Sequence, residues 1–162
     1  MGRIIIPKEI RQFLNIRENE PLEISVMERG IYIEKYQPLQ TLESLCEQYL
    51  TVLFKSCNIA CAVCSNEQII RSKGISLSTG QLLSAPLRKG IQNLETYHYS
   101  EESPLRVFDD SKYLLDSVYP VGSKEQPLGA VILLHYRSTT PEERCCAKLI
   151  ADILTELTIN QS

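Results

Sequence analysis

Four polar side chains stand close together near the start of the chain: Arg3, Lys8, Arg11 and Gln12. Arginine and lysine can neutralise phosphates. Arginine can also grip guanine through two hydrogen bonds, and glutamine can read adenine. The charge distribution supports this chemistry more than the total does. The whole chain carries a formal net charge of −3. Within residues 1–17, however, Arg3, Lys8, Arg11 and Arg17 stand against Glu9 alone, a net +3. Residues 18–36 reverse the sign, with Glu18, Glu20, Glu23, Glu28 and Glu34 against Arg29 and Lys35. The remainder is also acidic, so a polyanion should bind at the N-terminal end.

Six cysteines raise a second possibility. Cys57, Cys61 and Cys64 have the spacing Cys-x3-Cys-x2-Cys, which can hold an iron–sulfur cluster. Residues 59–65 read as a strand, and a strand sends successive side chains to opposite faces. Cys57 and Cys61 could share a face, but Cys64 joins them only through a bulge. The expectation is therefore buried structural thiols, with no metal and no cofactor; a redox or metal-sensing role is the alternative. Cys145 and Cys146 are adjacent on a helix pattern and point in different directions, which argues against their pairing. His98 and His135 have no catalytic neighbour in sequence and are expected in structural or surface roles. Glycine-loop, nucleophile-elbow and zinc-protease signatures are missing, so no enzymatic activity is expected.

The elements that must position these residues follow from periodicity. Ile4–Ile6 is a β-branched run and reads as a strand. Pro7 suits the first turn of a helix on which Ile10, Phe13 and Leu14 form an apolar face, leaving Lys8, Arg11 and Gln12 elsewhere. Leu22, Ile24 and Val26 alternate with polar residues, as do Ile31 and Ile33 after a Glu28-Arg-Gly30 turn; this is a β-hairpin signal. After Pro38, the residues Leu39, Leu42, Cys46, Tyr49 and Leu53 predict a long amphipathic helix, facing either its own core or a helix–helix dimer seam. Beyond it, strands are predicted at 59–65, 68–71, 106–108, 113–121 and 128–136. A helix is predicted over 79–93, interrupted at Pro86. Thr140-Pro-Glu-Glu marks a final helix start, with Leu149, Ile150, Ile153, Leu154 and Leu157 as its apolar face. The layout is α+β with an antiparallel sheet.

Size and composition bound the function. The chain has 162 residues, 43 % hydrophobic and 23 % charged, which suits one domain or two small ones. The longest aliphatic run, Ala130–Leu134, is far short of a membrane span of about 20 residues. No secretory signal is visible, and a cytoplasmic location is expected. The strand–helix–hairpin module ends near residue 37. Below about 40 residues a lone core is rarely stable, so this module should associate.

Gly2-Arg-Ile-Ile-Ile-Pro-Lys-Glu-Ile-Arg, with Leu14 and Ile16, then Glu20-Pro-Leu-Glu-Ile24 and Tyr32-Ile-Glu-Lys-Tyr36, resembles the AbrB family of transition-state regulators. The remainder resembles a GAF domain in length and element order. The resemblance implies a mixed architecture: a small, mostly-β, swapped-hairpin AbrB-like dimerisation domain over residues 1–37, a linking helix over 38–56, and an α+β GAF-like domain with an antiparallel sheet over 57–162. It implies DNA contact through Arg3, which matches the arginine of the Gly-Arg motif, and Arg11, the first of a paired arginine. Gln12 replaces the second, with a possible loss of phosphate affinity. In the family a further strand with more basic residues precedes the Gly-Arg motif. A barrel without it would expose a sheet edge, so weak dimerisation and weak DNA binding are expected of this chain.

The function expected is that of a DNA-binding transcription regulator of the sporulation or transition-state type. Its partners would be double-stranded DNA, further copies of itself as a homodimer or homotetramer, and an unidentified small molecule in the GAF-like domain. The alternative is a GAF-type small-molecule or redox sensor with impaired DNA binding.

Overall fold

A computed structural model describes residues 2–159. The chain divides into two compact units, Met1–Gln37 and Pro38–Ser162.

The first unit holds helix α1 (Lys8–Phe13) and the antiparallel strands β1 (Leu22–Met27) and β2 (Gly30–Lys35). Pro7 stands immediately before α1, where its missing N–H costs nothing. The helix stops at Asn15, which takes a left-handed conformation (φ 52°). Asn15 N–H donates to Gln12 O and Ile16 N–H to Arg11 O, a Schellman closure that satisfies two terminal carbonyls. Asn19 (φ 63°) serves the next turn, which Glu20 braces by accepting from Arg17 N–H at 2.7 Å. Glu28 and Arg29 form the two-residue hairpin loop, and Ile24 faces Ile33 while Val26 faces Ile31. The Ile4–Ile6 run is not a strand. Its β-branched residues favour extended backbone, but a strand also needs a neighbour for its N–H and C=O groups, and this unit supplies none.

The second unit is a five-stranded antiparallel sheet in the order β4-β3-β7-β6-β5. Its elements in chain order are α2 (Pro38–Thr41), α3 (Glu43–Cys57), β3 (Cys61–Ser65), β4 (Ile69–Lys73), α4 (Ala85–Gln92), β5 (Tyr97–His98), β6 (Leu115–Gly122), β7 (Pro127–Leu134) and α5 (Pro141–Ile159). Both faces of the sheet are covered. Val131 and Leu133 of β7 join Leu39, Leu50, Leu53, Ala147, Ala151 and Leu154 under α2, α3 and α5. Ala130, Ile132 and Leu134 join Leu87, Ile91, Val107 and Phe108 under α4 and its loops. Period-two alternation with apolar cover on both sides explains the unbroken aliphatic run of β7. Gly129 is required where β7 meets β3: a Cβ there would strike the Cys64 carbonyl and crowd the Leu39 side chain.

Several expectations change. The long helix after Pro38 breaks at Leu42, where a Leu42 N–H to Leu39 O bond tightens the turn. Of its stripe, Leu39, Cys46 and Leu53 are buried within this unit and Leu42 and Tyr49 pack half-buried against the same core, so it is not a free dimer seam. Pro86 opens α4 and does not interrupt it. Ser84 caps the helix by accepting from Leu87 N–H, and the proline sits in the first turn. The fifth strand is Tyr97–His98, while residues 106–108 make only an isolated bridge from Arg106 to Leu114. On α5 the buried positions are Ala147, Ala151, Leu154 and Thr158; Leu149 is exposed, because the small alanines allow close approach to the sheet on the other side. Thr140 does cap α5: Glu143 N–H donates to its hydroxyl, and Glu143 accepts in return from Thr140 N–H, a capping box.

Candidate nucleic-acid interface

On α1, Lys8, Arg11 and Gln12 stand at i, i+3 and i+4, so 3.6-residue periodicity puts them on one side of the helix. Ile10, Phe13 and Leu14 have the same spacing on the other side. Arg3 lies on the segment without regular secondary structure that leads into α1. All four candidate side chains are exposed. Among the described residues none of them is held in an ion pair, so their donors are available to phosphate and base edges. The Schellman closure at Asn15 fixes the end of α1 and with it the direction of Arg11 and Gln12.

The hairpin has two unlike faces. One carries the pairs Ile24–Ile33 and Val26–Ile31; the other places Glu23 directly opposite Glu34. Like charges across a strand pair repel and would also repel a polyanion. The acidic face therefore cannot take DNA, and the cationic side of α1 is the one electrostatically suited to it. The apolar surfaces of this unit are uncovered. Phe13 is 87 % exposed, Val26 82 % and Ile31 63 %, and no described residue from 2 to 37 is buried. A folded unit that leaves such surface open is suited to a partner surface.

The structure separates the other candidates. Cys61 and Cys64 are both fully buried, but on opposite faces of the sheet. The pairing of β3 with β4 does contain a bulge at Val63/Cys64, yet it does not bring Cys64 round to Cys61. Cys57 ends α3. Among the described residues no three metal-ligating side chains converge. Burial pushes the Cys61 and Cys64 thiols up to about 12, which makes them poor nucleophiles.

His135 does have an acidic neighbour, which no local pattern indicated. Its Nδ1 lies 3.5 Å from Oδ1 of buried Asp116, and its ring stacks on Tyr99 at 3.6 Å between centroids. The other Asp116 oxygen accepts from Ser117 and Thr139 hydroxyls at 2.6 and 2.7 Å, and Arg144 lies 3.9 Å away. The carboxylate thereby joins β6, the segment after β7 and the start of α5. Its partners come from residues 117–144, so only the sheet topology could assemble them. His98 meets Tyr119 edge-on.

The chain thus joins a small helix-and-hairpin unit to an α+β domain with an antiparallel sheet. Residues 1–41 match the family model described as antidote-toxin recognition MazE, bacterial antitoxin. Along most of its length the chain is similar to stage V sporulation protein T of Bacillus subtilis (strain 168). The two are 28 % identical over 147 residues, covering 88 % of this chain and 83 % of that protein. It is also 42 % identical over 43 residues to the transition state regulatory protein AbrB of the same organism, covering 26 % of this chain and 45 % of that one. Neither relative is named for an enzymatic activity. No helix among the described residues is long and apolar enough to cross a membrane.

Proposed function

We propose that the protein is a transcription regulator that binds double-stranded DNA as a homodimer or homotetramer, through Arg3, Lys8, Arg11 and Gln12 of each copy. The observation that carries this reading is the first unit itself: a cationic helix side, exposed and unpaired, on a unit in which no described residue is buried. A second copy would cover the Val26–Ile31 face and Phe13, and would present the cationic side twice, as two half-sites require. In this reading residues 1–37 serve DNA, 38–56 connect to the second unit while packing into its core, and 57–162 act as a GAF-like sensor or oligomerisation domain. The description of the matching family model speaks of toxin recognition. The similarity that runs along the chain is to a sporulation protein, and this favours the regulator.

The alternative reading, a small-molecule sensor, is favoured by one observation. A cleft of about 430 Å³ opens beside α4, lined by Ser84, Pro86, Tyr97, Leu105, Arg106 and Asp109. A ligand held there would act in the second unit, and the regulator could contain such a sensor.

Retention on duplex DNA across a salt series tests the site. The double variant Arg3→Ala/Arg11→Ala should keep its circular dichroism spectrum and lose retention. Each phosphate contact removed should lower the slope of log K against log salt by about 0.9. Retention equal to the parent's would move the site elsewhere.

A further inference from the structure

The second unit contains a pair of thiols that the DNA reading does not use. α3 ends at Cys57, followed by Asn58 in a left-handed conformation (φ 49°). The last carbonyls of a helix lack intrahelical partners. Arg137, on the segment between β7 and α5, supplies one: its Nη2 donates to Cys57 O at 2.9 Å. The same guanidinium makes a two-pronged pair with Glu143, at 2.9 and 2.7 Å. Glu143 is also the capping-box residue of α5. One side chain thus ties the C-terminal turn of α3 to the first turn of α5. Cys146 lies one helical turn beyond Glu143, on the same side of α5. This places Cys146 beside the end of α3, near enough to Cys57 to influence its thiol.

The six thiols differ in access. Cys46, Cys61 and Cys64 are buried, and Cys61 and Cys64 donate to the backbone carbonyls of Leu50 and Ala130. Cys57 is partly buried, while Cys145 and Cys146 are exposed. Burial, with Cys146 and Glu143 adding to it, pushes the Cys57 thiol up, and Arg137 opposes this. Cys146 is therefore placed to meet an oxidant first and Cys57 to resolve the product.

We propose that Cys57 and Cys146 are a redox-responsive pair that closes to an intrachain disulfide on exposure to a hydroperoxide. The Cys146 thiolate attacks the distal peroxide oxygen and breaks the O–O bond. The leaving alkoxide takes up the thiol proton as an alcohol, or as water when the oxidant is hydrogen peroxide, and Cys146 becomes a sulfenic acid. Cys57 sulfur then attacks the Cys146 sulfur. The S–S bond forms, and the sulfenic oxygen leaves as water with the Cys57 proton. Two thiols lose two electrons and the hydroperoxide gains them. The link would join α3 to α5 across one face of the sheet core. It stands on the second unit alone and does not depend on the DNA reading.

The test uses the full reduced chain, treated anaerobically with a small excess of hydrogen peroxide, then alkylated and mapped by non-reducing peptide mass spectrometry. The expected result is one linked peptide pair containing Cys57 and Cys146, reversed by dithiothreitol, with Cys46, Cys61 and Cys64 alkylated only after denaturation. Cys145→Ser should leave the link intact, and Cys146→Ser should abolish it. Free alkylation of both Cys57 and Cys146 after peroxide would overturn the proposal, and so would a link that runs only between chains through Cys145. The wild-type map decides the question even if a variant fails to fold.

Discussion

The two units of this chain treat apolar surface in opposite ways. In the second, both faces of a five-stranded sheet are covered, and Ile132, Leu133 and Leu154 are fully buried. In the first, no described residue is buried, and Phe13 and Val26 are more than four-fifths exposed. Their local signals are equally clean, since hairpin alternation and helix caps are present in both. What separates them is the amount of chain available to cover a face. Residues 38–162 supply helices for both sides of the sheet; a helix of six residues and a hairpin cannot cover each other. The lesson is that correct secondary structure does not imply a self-sufficient core, and that an uncovered face at this size leaves apolar surface for a partner to cover.

Four experiments test the contrast. The largest effect should come from separating the units. Residues 38–162 alone should unfold cooperatively, and residues 1–37 alone should show no cooperative transition at low micromolar concentration; circular dichroism during denaturation reads both. A stable monomeric 1–37 peptide would remove the argument for association.

Next in size, Ile132→Ala should lower the stability of the second unit by roughly 2–5 kcal/mol, as lost burial plus a cavity. Urea unfolding measures this. The matched change in the first unit, Val26→Ala, should leave that same transition where it was.

Val26→Asp should instead act on association. It places a charge on the face that a partner would cover, and sedimentation should show the dimer weakened by at least about tenfold, the equivalent of 1.4 kcal/mol. An unchanged association constant would exclude the hairpin face as the interface.

The smallest effect belongs to the start of α5. Thr140→Ala should cost about 1 kcal/mol by removing one half of the capping box. Glu143 adds a pH dependence. Its hydrogen bonds with Arg137 and Thr140 N–H hold its carboxyl down to about 2, against an ordinary value of 4.5. A depressed folded value means the contribution is present in full above about 4.5 and is lost as pH falls through about 2. Stability curves of the parent and Glu143→Gln should therefore separate at neutral pH and converge near the acid end.

The cationic residues and the elements that carry them were legible because their signals are local. Pro7 before a three-four apolar spacing, an alternating hairpin and a Thr-Pro-Glu-Glu cap each act within a few residues. The misreadings share a cause. Ile4–Ile6 has strand propensity but no neighbour, whereas Tyr97–His98 is a strand solely because β6 lies beside it. Pro86 reads as a break until Ser84 is seen to cap the helix it opens. The Asp116–His135 network and the Arg137 bridge from Cys57 to Glu143 join residues far apart in the chain, and no spacing rule reaches that distance.

Residue types and their order alone set where positive charge lies, which segments can be helix or hairpin, and that the first module is too small to cover its own apolar face. These depend on residue type and short-range geometry. Only the tertiary structure decided which faces are covered. It placed Cys61 and Cys64 on opposite sides of one sheet and turned the stripe after Pro38 into its own unit's core. It also clamped the end of α3 to the start of α5 through Arg137. Burial and contact are properties of the assembled surface, and they exist only once distant segments have met.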